Sequence, residues 1–184
     1  MTTPVSEFAN RFGDAPDRVQ AYVASLLATL GDRDPLAVLR ETPAALRRAV
    51  DGLSPGQLAR AEAPGKWSMA QVLWHLTDSE LVGSFRFRMV LAHDRPALPG
   101  YDQDRWIERL HAADPDVEPA LEEFALLRRA NVRLFERLSP AERARVGLHA
   151  ERGEESLEHL MRLYAAHDLV HLRQLARIRA AVGG

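Results

Sequence analysis

The sequence predicts an all-α protein: an up-down bundle of four main helices with an extra N-terminal helix and one long crossover segment. Three observations lead there. Apolar residues recur three and four apart over long stretches. β-Branched residues are sparse, and no segment alternates convincingly with period two. Helix-start signals recur along the chain. The 184 residues, 46% hydrophobic and 27% charged, suit one globular domain with its own core.

A first helix is expected over about residues 15–30, with Val19, Tyr22, Val23, Leu26, Leu27 and Leu30 on one face. Asp34-Pro35 reads as an N-cap followed by a first-turn proline, and Thr42-Pro43 repeats that signal, with helix through Val50. The best-marked start is Ser68-Met69-Ala70-Gln71, a capping box, with Trp67 and Val72 placed to staple it. That helix should continue to about Leu91. Residues 93–115, rich in proline, read as a long connection with a short helix near 103–111. A third long helix follows, with Val117, Leu121, Phe124, Leu127, Leu134, Phe135 and Leu138 facing inward. Ser139-Pro140-Ala141-Glu142 starts a short turn, and Gly147 and Gly153 break the chain. The last helix is expected over about 156–182.

Composition excludes several classes of chemistry. A formal charge of −2 lacks the basic footprint of a nucleic-acid binder. Zero cysteines rule out disulfides, thiolate metal ligands and a cysteine nucleophile. No apolar run is long enough to span a bilayer, so no membrane partner is expected. Residues 1–7 have neither the basic region nor the apolar stretch of a signal peptide, and a cytoplasmic protein is expected.

Histidine placement carries the functional signal. On the last helix the inward positions are Leu157, Leu160, Tyr164, His167, His171, Leu175, Ile178 and Val182. His167 and His171 therefore share the apolar seam, one turn apart, where two imidazoles can meet one ion. Two core histidines with ordinary hydrogen bonds would give the same pattern. His75, on the inward stripe of the second long helix, supplies a third imidazole, and Ser79 and Val82 beside it are small enough to leave room for substrate. Nitrogen-only ligation suits zinc, nickel, iron or copper, and three protein ligands leave an open position. His93, His111, His149 and His159 read as solvated or capping groups. Asp78 and Asp168 could orient an imidazole, or form surface ion pairs. Asn131 could line the pocket or satisfy a buried backbone group. Tyr101, Asp102, Asp104 and Trp106 could form a lid, or a loop packed for stability.

The stretch GKWSMAQVLWHLTDSE from Gly65 to Glu80 resembles the signature of the DinB/YfiT-like family of bacterial proteins. LYAAHDLVHLRQL, from Leu163 to Leu175, resembles its second signature, and ERGEESL from Glu151 to Leu157 also fits. The resemblance covers roughly residues 35–181. It leaves residues 1–34 as an N-terminal extension to a bundle over 35–184. It implies a four-helix bundle holding one divalent metal, zinc or nickel, on His75, His167 and His171, and often a homodimer. Relatives include bacillithiol S-transferases, mycothiol-dependent isomerases and proteins described as metal-dependent hydrolases. Three histidine ligands match the bacillithiol branch, whereas the mycothiol isomerases replace one with a carboxylate. The function expected is therefore transfer of a low-molecular-weight thiol, such as bacillithiol, to a small-molecule electrophile. The alternatives are a metal-dependent hydrolase and a non-catalytic metal-binding stress protein. No glutamate adjoins His167 or His171 as in a His-Glu-x-x-His motif, which favours the thiol reading over hydrolysis.

Overall fold

The computed structural model describes residues 16–111 and 115–183. The expectations for residues 1–15 lie outside this range. Helices α1 (Pro16–Leu30) and α2 (Pro35–Val50) lead to a single turn, α3 (Pro55–Leu58), and then to α4 (Met69–Ala92). Strand β1 (Ala97–Leu98) and helix α5 (Gln103–Leu110) lie between α4 and α6 (Glu118–Glu136). The chain closes with α7 (Pro140–Arg143), β2 (Val146–His149), β3 (Gly153–Ser156) and α8 (Leu157–Val182).

Local chemistry explains the helix starts. Ser54, Ser68 and Ser139 each close a capping box with the Gln or Glu three residues on. Asp34 accepts from the Leu36 amide and precedes Pro35. Thr42-Pro43, read as a start, is instead internal to α2. Proline in a helix frees the carbonyl four residues back, here that of Leu39. Arg128 Nη1 donates to that oxygen at 3.2 Å, so a side chain from α6 replaces the missing amide.

Helices α2, α4, α6 and α8 form a four-helix bundle. Around it the order is α2, α6, α4, α8, and α1 packs on α8. Residue pairings fix the directions. Thr77 Oγ1 donates to Ala120 O, and Phe87 meets Phe135 with ring centroids 4.9 Å apart. These contacts set α4 parallel to α6, and the crossover between them, which carries α5 back along α4, allows it. Arg40 with Glu136 and Arg47 with Glu118 set α2 antiparallel to α6.

The core has two apolar halves. One gathers Leu26, Leu39, Phe87, Phe135, Leu160 and Tyr164. The other gathers Leu46, Leu73, Leu76, Phe124, Leu175 and Ile178. A buried polar layer separates them, with Thr42, Glu80, Arg128, Asn131 and Asp168 contributed by all four main helices. Periodicity also missed the strands. They form a small sheet in the order β1-β2-β3, with β1 parallel and β3 antiparallel to β2. Two to four residues are too few for alternation to register.

Candidate metal centre

His75 projects from α4, and His167 and His171 from α8. His167 Nε2 lies 3.1 Å from His75 Nε2 and 3.1 Å from His171 Nε2. One ligand atom from each imidazole lies within 4.8 Å of the others, so the group could hold a metal ion. The donor set fits. Nitrogen atoms bound at 2.0–2.1 Å to a tetrahedral ion are about 3.3 Å apart, close to the two measured edges. Burial, then the neighbouring His171 and His75, holds the His167 imidazole well below its usual pKa, in the neutral form that ligates. His171 Nδ1 sits 2.8 Å from Gln174 Oε1. Donation to that oxygen leaves the His171 Nε2 lone pair facing the centre. Trp67 leans on His75 with ring centroids 4.8 Å apart.

His75 and His167 open onto a cavity of about 370 Å³, and His171 stands behind them outside its lining. Its lining includes His75, His167, Ser79, Arg86, Tyr164, His149 and Arg152, with Tyr22, Val23 and Leu26 from α1. Tyr101, Asp102, Gln103 and Asp104 complete it, so the connecting segment does border the site. Trp106 is not part of the lining; its ring packs on Tyr101 at 4.7 Å. Ser79 borders the cavity as expected, but Val82 does not, and the next such position on α4 is Arg86.

Several expectations need correction. Asp168 neither orients an imidazole by a contact seen here nor lies on the surface. It is 1% exposed, paired with Arg128, and 2.8 Å from Thr42 Oγ1. Glu80 receives Arg128 Nε and Nη2 at 2.9 and 2.8 Å. Burial works against the Arg128 charge, but Asp168 and Glu80 outweigh it and raise its pKa. Asn131 donates to Glu80 and Ser84 in the same layer, not to backbone. Asp78 lies 3.2 Å from His111 Nε2, and His111 stacks on Trp74 at 4.2 Å. His111 caps the C-terminus of α5, the capping half of the expectation, and its ring latches α5 to α4 instead of being solvated. His149 is 4% exposed on β2 and faces the cavity. Sequence reasoning missed Gln174, whose i+3 spacing from His171 was the available signal. It also missed Arg86, whose i+7 spacing from Ser79 put it on the same face.

The four-helix fold, with three converging histidines that could hold an ion, suggests a class, and comparison gives the family. Residues 38–175 match the family model described as the DinB superfamily. The chain belongs to that family. A Geobacillus thermodenitrificans protein named "Putative metal-dependent hydrolase" is 32% identical over 153 residues, 80% of this chain and 84% of its own. The Bacillus subtilis "Putative metal-dependent hydrolase YfiT" is 30% identical over 152 residues, with the same shares. The solved structure described as "YfiT from Bacillus subtilis is a probable metal-dependent hydrolase with an unusual four-helix bundle topology" superposes with a TM-score of 0.75 at 24% identity. It covers 98% of this chain and 96% of that one, and shows the same fold.

Proposed function

We propose that the protein is a metal-dependent enzyme. His75, His167 and His171 would hold one divalent transition ion, zinc or nickel. The reaction is transfer of a low-molecular-weight thiol, such as bacillithiol, to an electrophilic small molecule. The observation that carries this reading is the convergence of three Nε2 atoms beside a substrate-sized cavity. An ion bound there lowers the pKa of a coordinated thiol or water.

The chain's own residues favour the thiol. With no cysteine in the sequence, a thiol nucleophile must come from a cosubstrate. Activating water calls for a general base, yet the carboxylates nearest the ligands in sequence are engaged elsewhere. Asp168 and Glu80 hold Arg128, and Asp78 faces His111. Tyr101 and Ser79 would screen the reacting groups from bulk water. Residues 1–34 serve as an extension whose helix walls the cavity. We place the enzyme in the cytoplasm as a homodimer. Leu81 and Phe85, one turn apart on α4 and 51% and 53% exposed, offer an apolar surface for pairing.

Hydrolysis is the second reading. The names of the relatives favour it, as does Glu151, a carboxylate at the cavity. Turnover of a panel of electrophiles, with bacillithiol, mycothiol, glutathione or water as the only nucleophile, separates the readings. Transfer predicts activity only with both metal and a thiol. Equal rates with and without thiol reject transfer in favour of hydrolysis. No turnover in metal-loaded protein leaves a metal-binding protein without catalysis.

A further inference from the structure

On the cavity wall formed by Arg86, His149 and Arg152, two buried N–H groups, Arg86 Nε and His149 Nε2, have no acceptor among the described residues. Arg86 is 5% exposed, its Nη2 donates to Pro99 O, and its Nε is buried without a partner. Among the described residues, no carboxylate forms an ion pair with it, unlike Arg128, which has two. His149 Nδ1 accepts from the Glu151 and Arg152 amides at 3.2 and 3.4 Å. Those bonds fix the tautomer with its proton on Nε2, and Nε2 is buried without a partner. Arg152 lies on the same wall, held by Glu155 at 2.5 and 2.9 Å. The cavity's own carboxylates, Asp102, Asp104 and Glu151, are partly or fully exposed, where water screens them. Arg152 has its counter-charge in Glu155, and Arg86 is the guanidinium of this wall that has none among the described residues.

We propose that this wall is a carboxylate subsite: Arg86 and His149 Nε2–H receive a carboxylate of the ligand whose reacting end lies at the three histidines. The inference rests on the enzyme reading for the ligand's fate, but not for its binding. It assigns the substrate to the class of small organic anions. A carboxylate seated against this wall supplies a counter-charge for Arg86 and, once the two side chains turn toward it, acceptors for both unpartnered N–H groups. A neutral isostere supplies no charge, and leaves the guanidinium buried without a counter-ion. The carboxylate can belong to the thiol or to the electrophile.

The test is equilibrium binding to the full chain, with and without added zinc. The probes are succinate and its neutral diamide, succinamide. The subsite predicts that succinate binds at least about tenfold more tightly, as expected for a charge-assisted hydrogen bond. Arg86→Gln should abolish that preference. Because a buried arginine can be needed for folding, His149→Asn is the second variant. Its side-chain oxygen can still accept from the two amides, but the Nε2–H is gone, and the preference should shrink. Equal binding of succinate and succinamide, or a preference intact in both variants, overturns the subsite. A preference seen only with zinc and unchanged by the variants means that carboxylate meets the metal alone, and also overturns it. A parallel comparison of 3-mercaptopropionate with 2-mercaptoethanol locates the carboxylate. A charged-thiol advantage that depends on Arg86 assigns it to the thiol. A succinate preference without that advantage assigns it to the electrophile. Failure of metal binding or turnover leaves the zinc-free succinate result standing, so the two readings fail separately.

Discussion

Gln174 is the contact through which the α8 backbone steers a candidate ligand. Its Oε1 at 2.8 Å holds His171 Nδ1, and such partners fix ring orientation and raise ligand basicity. Gln174→Leu should lower metal affinity about 10–100-fold while leaving the circular dichroism of the helices unchanged. Unaltered affinity in a zinc competition assay would count against it. His149 makes a different prediction. Burial first, then Arg152 and Arg86, push its pKa down to about 2. The native state refuses a proton that the unfolded chain accepts near pH 6.5. The stabilising contribution is therefore complete above about pH 6.5 and is lost as pH falls toward 2. Denaturant titrations between about pH 6 and 3 should show His149→Asn losing stability less steeply than wild type, by about 1.4 kcal/mol per pH unit. Superimposable profiles would contradict the burial of a neutral imidazole. The three candidate ligands were legible in the sequence because spacing puts His167 and His171 on one face of α8 and His75 on the inward stripe of α4, and the family resemblance joins them as one set. Arg86 and His149 were not, since a charged helical residue reads as solvated until its neighbours are known, and His149 owes its burial to the sheet.

Helix α4 shows how closely the elements must approach. A Cβ on Gly83 would come within 2.5 Å of the Tyr164 ring, so glycine lets α4 and α8 close around the site. Gly83→Ala should cost about 1–3 kcal/mol by overpacking and displace Tyr164 from the cavity wall. Denaturation coinciding with wild type would show that the helices have slack there. At this scale the sequence was informative where the cause is local. The capping boxes at Ser68 and Ser139 and the Asp34-Pro35 start lie where their chemistry puts them. It misled where the cause is distant. Thr42-Pro43 looks like a start because the partner of the Leu39 carbonyl, Arg128, is 89 positions away. The strands depend on pairing between residues 97–98 and 148–149, which no window along the chain contains.

The whole bundle turns on the layer around Arg128, which joins α6 to α4 through Glu80, to α8 through Asp168 and to α2 through Leu39. On α6 the sequence reading turns Leu127 inward where Arg128 is the buried residue, and it singles out Asp168 and Asn131 without Glu80 and Arg128, so the layer is visible there only in part. Arg128→Met would strand two buried carboxylates and should cost about 3–5 kcal/mol. Replacing all three charges together, with Glu80→Leu and Asp168→Leu, should recover most of that in equilibrium denaturation. An equal loss in the triple variant would mean that packing around Arg128, not its charge, sustains the bundle. The layer sits at the height of His167, adjacent in sequence to Asp168, so the fold and the candidate centre share one anchor. The claim on which the account depends is that this anchor presents three imidazoles to one ion. Elemental analysis after zinc loading and desalting tests it, with wild type beside His75→Ala, His167→Ala and His171→Ala. The account predicts about one equivalent per chain in wild type, with strong loss in each variant and helix content preserved. Metal-free wild type, or full occupancy in any one variant, would contradict it.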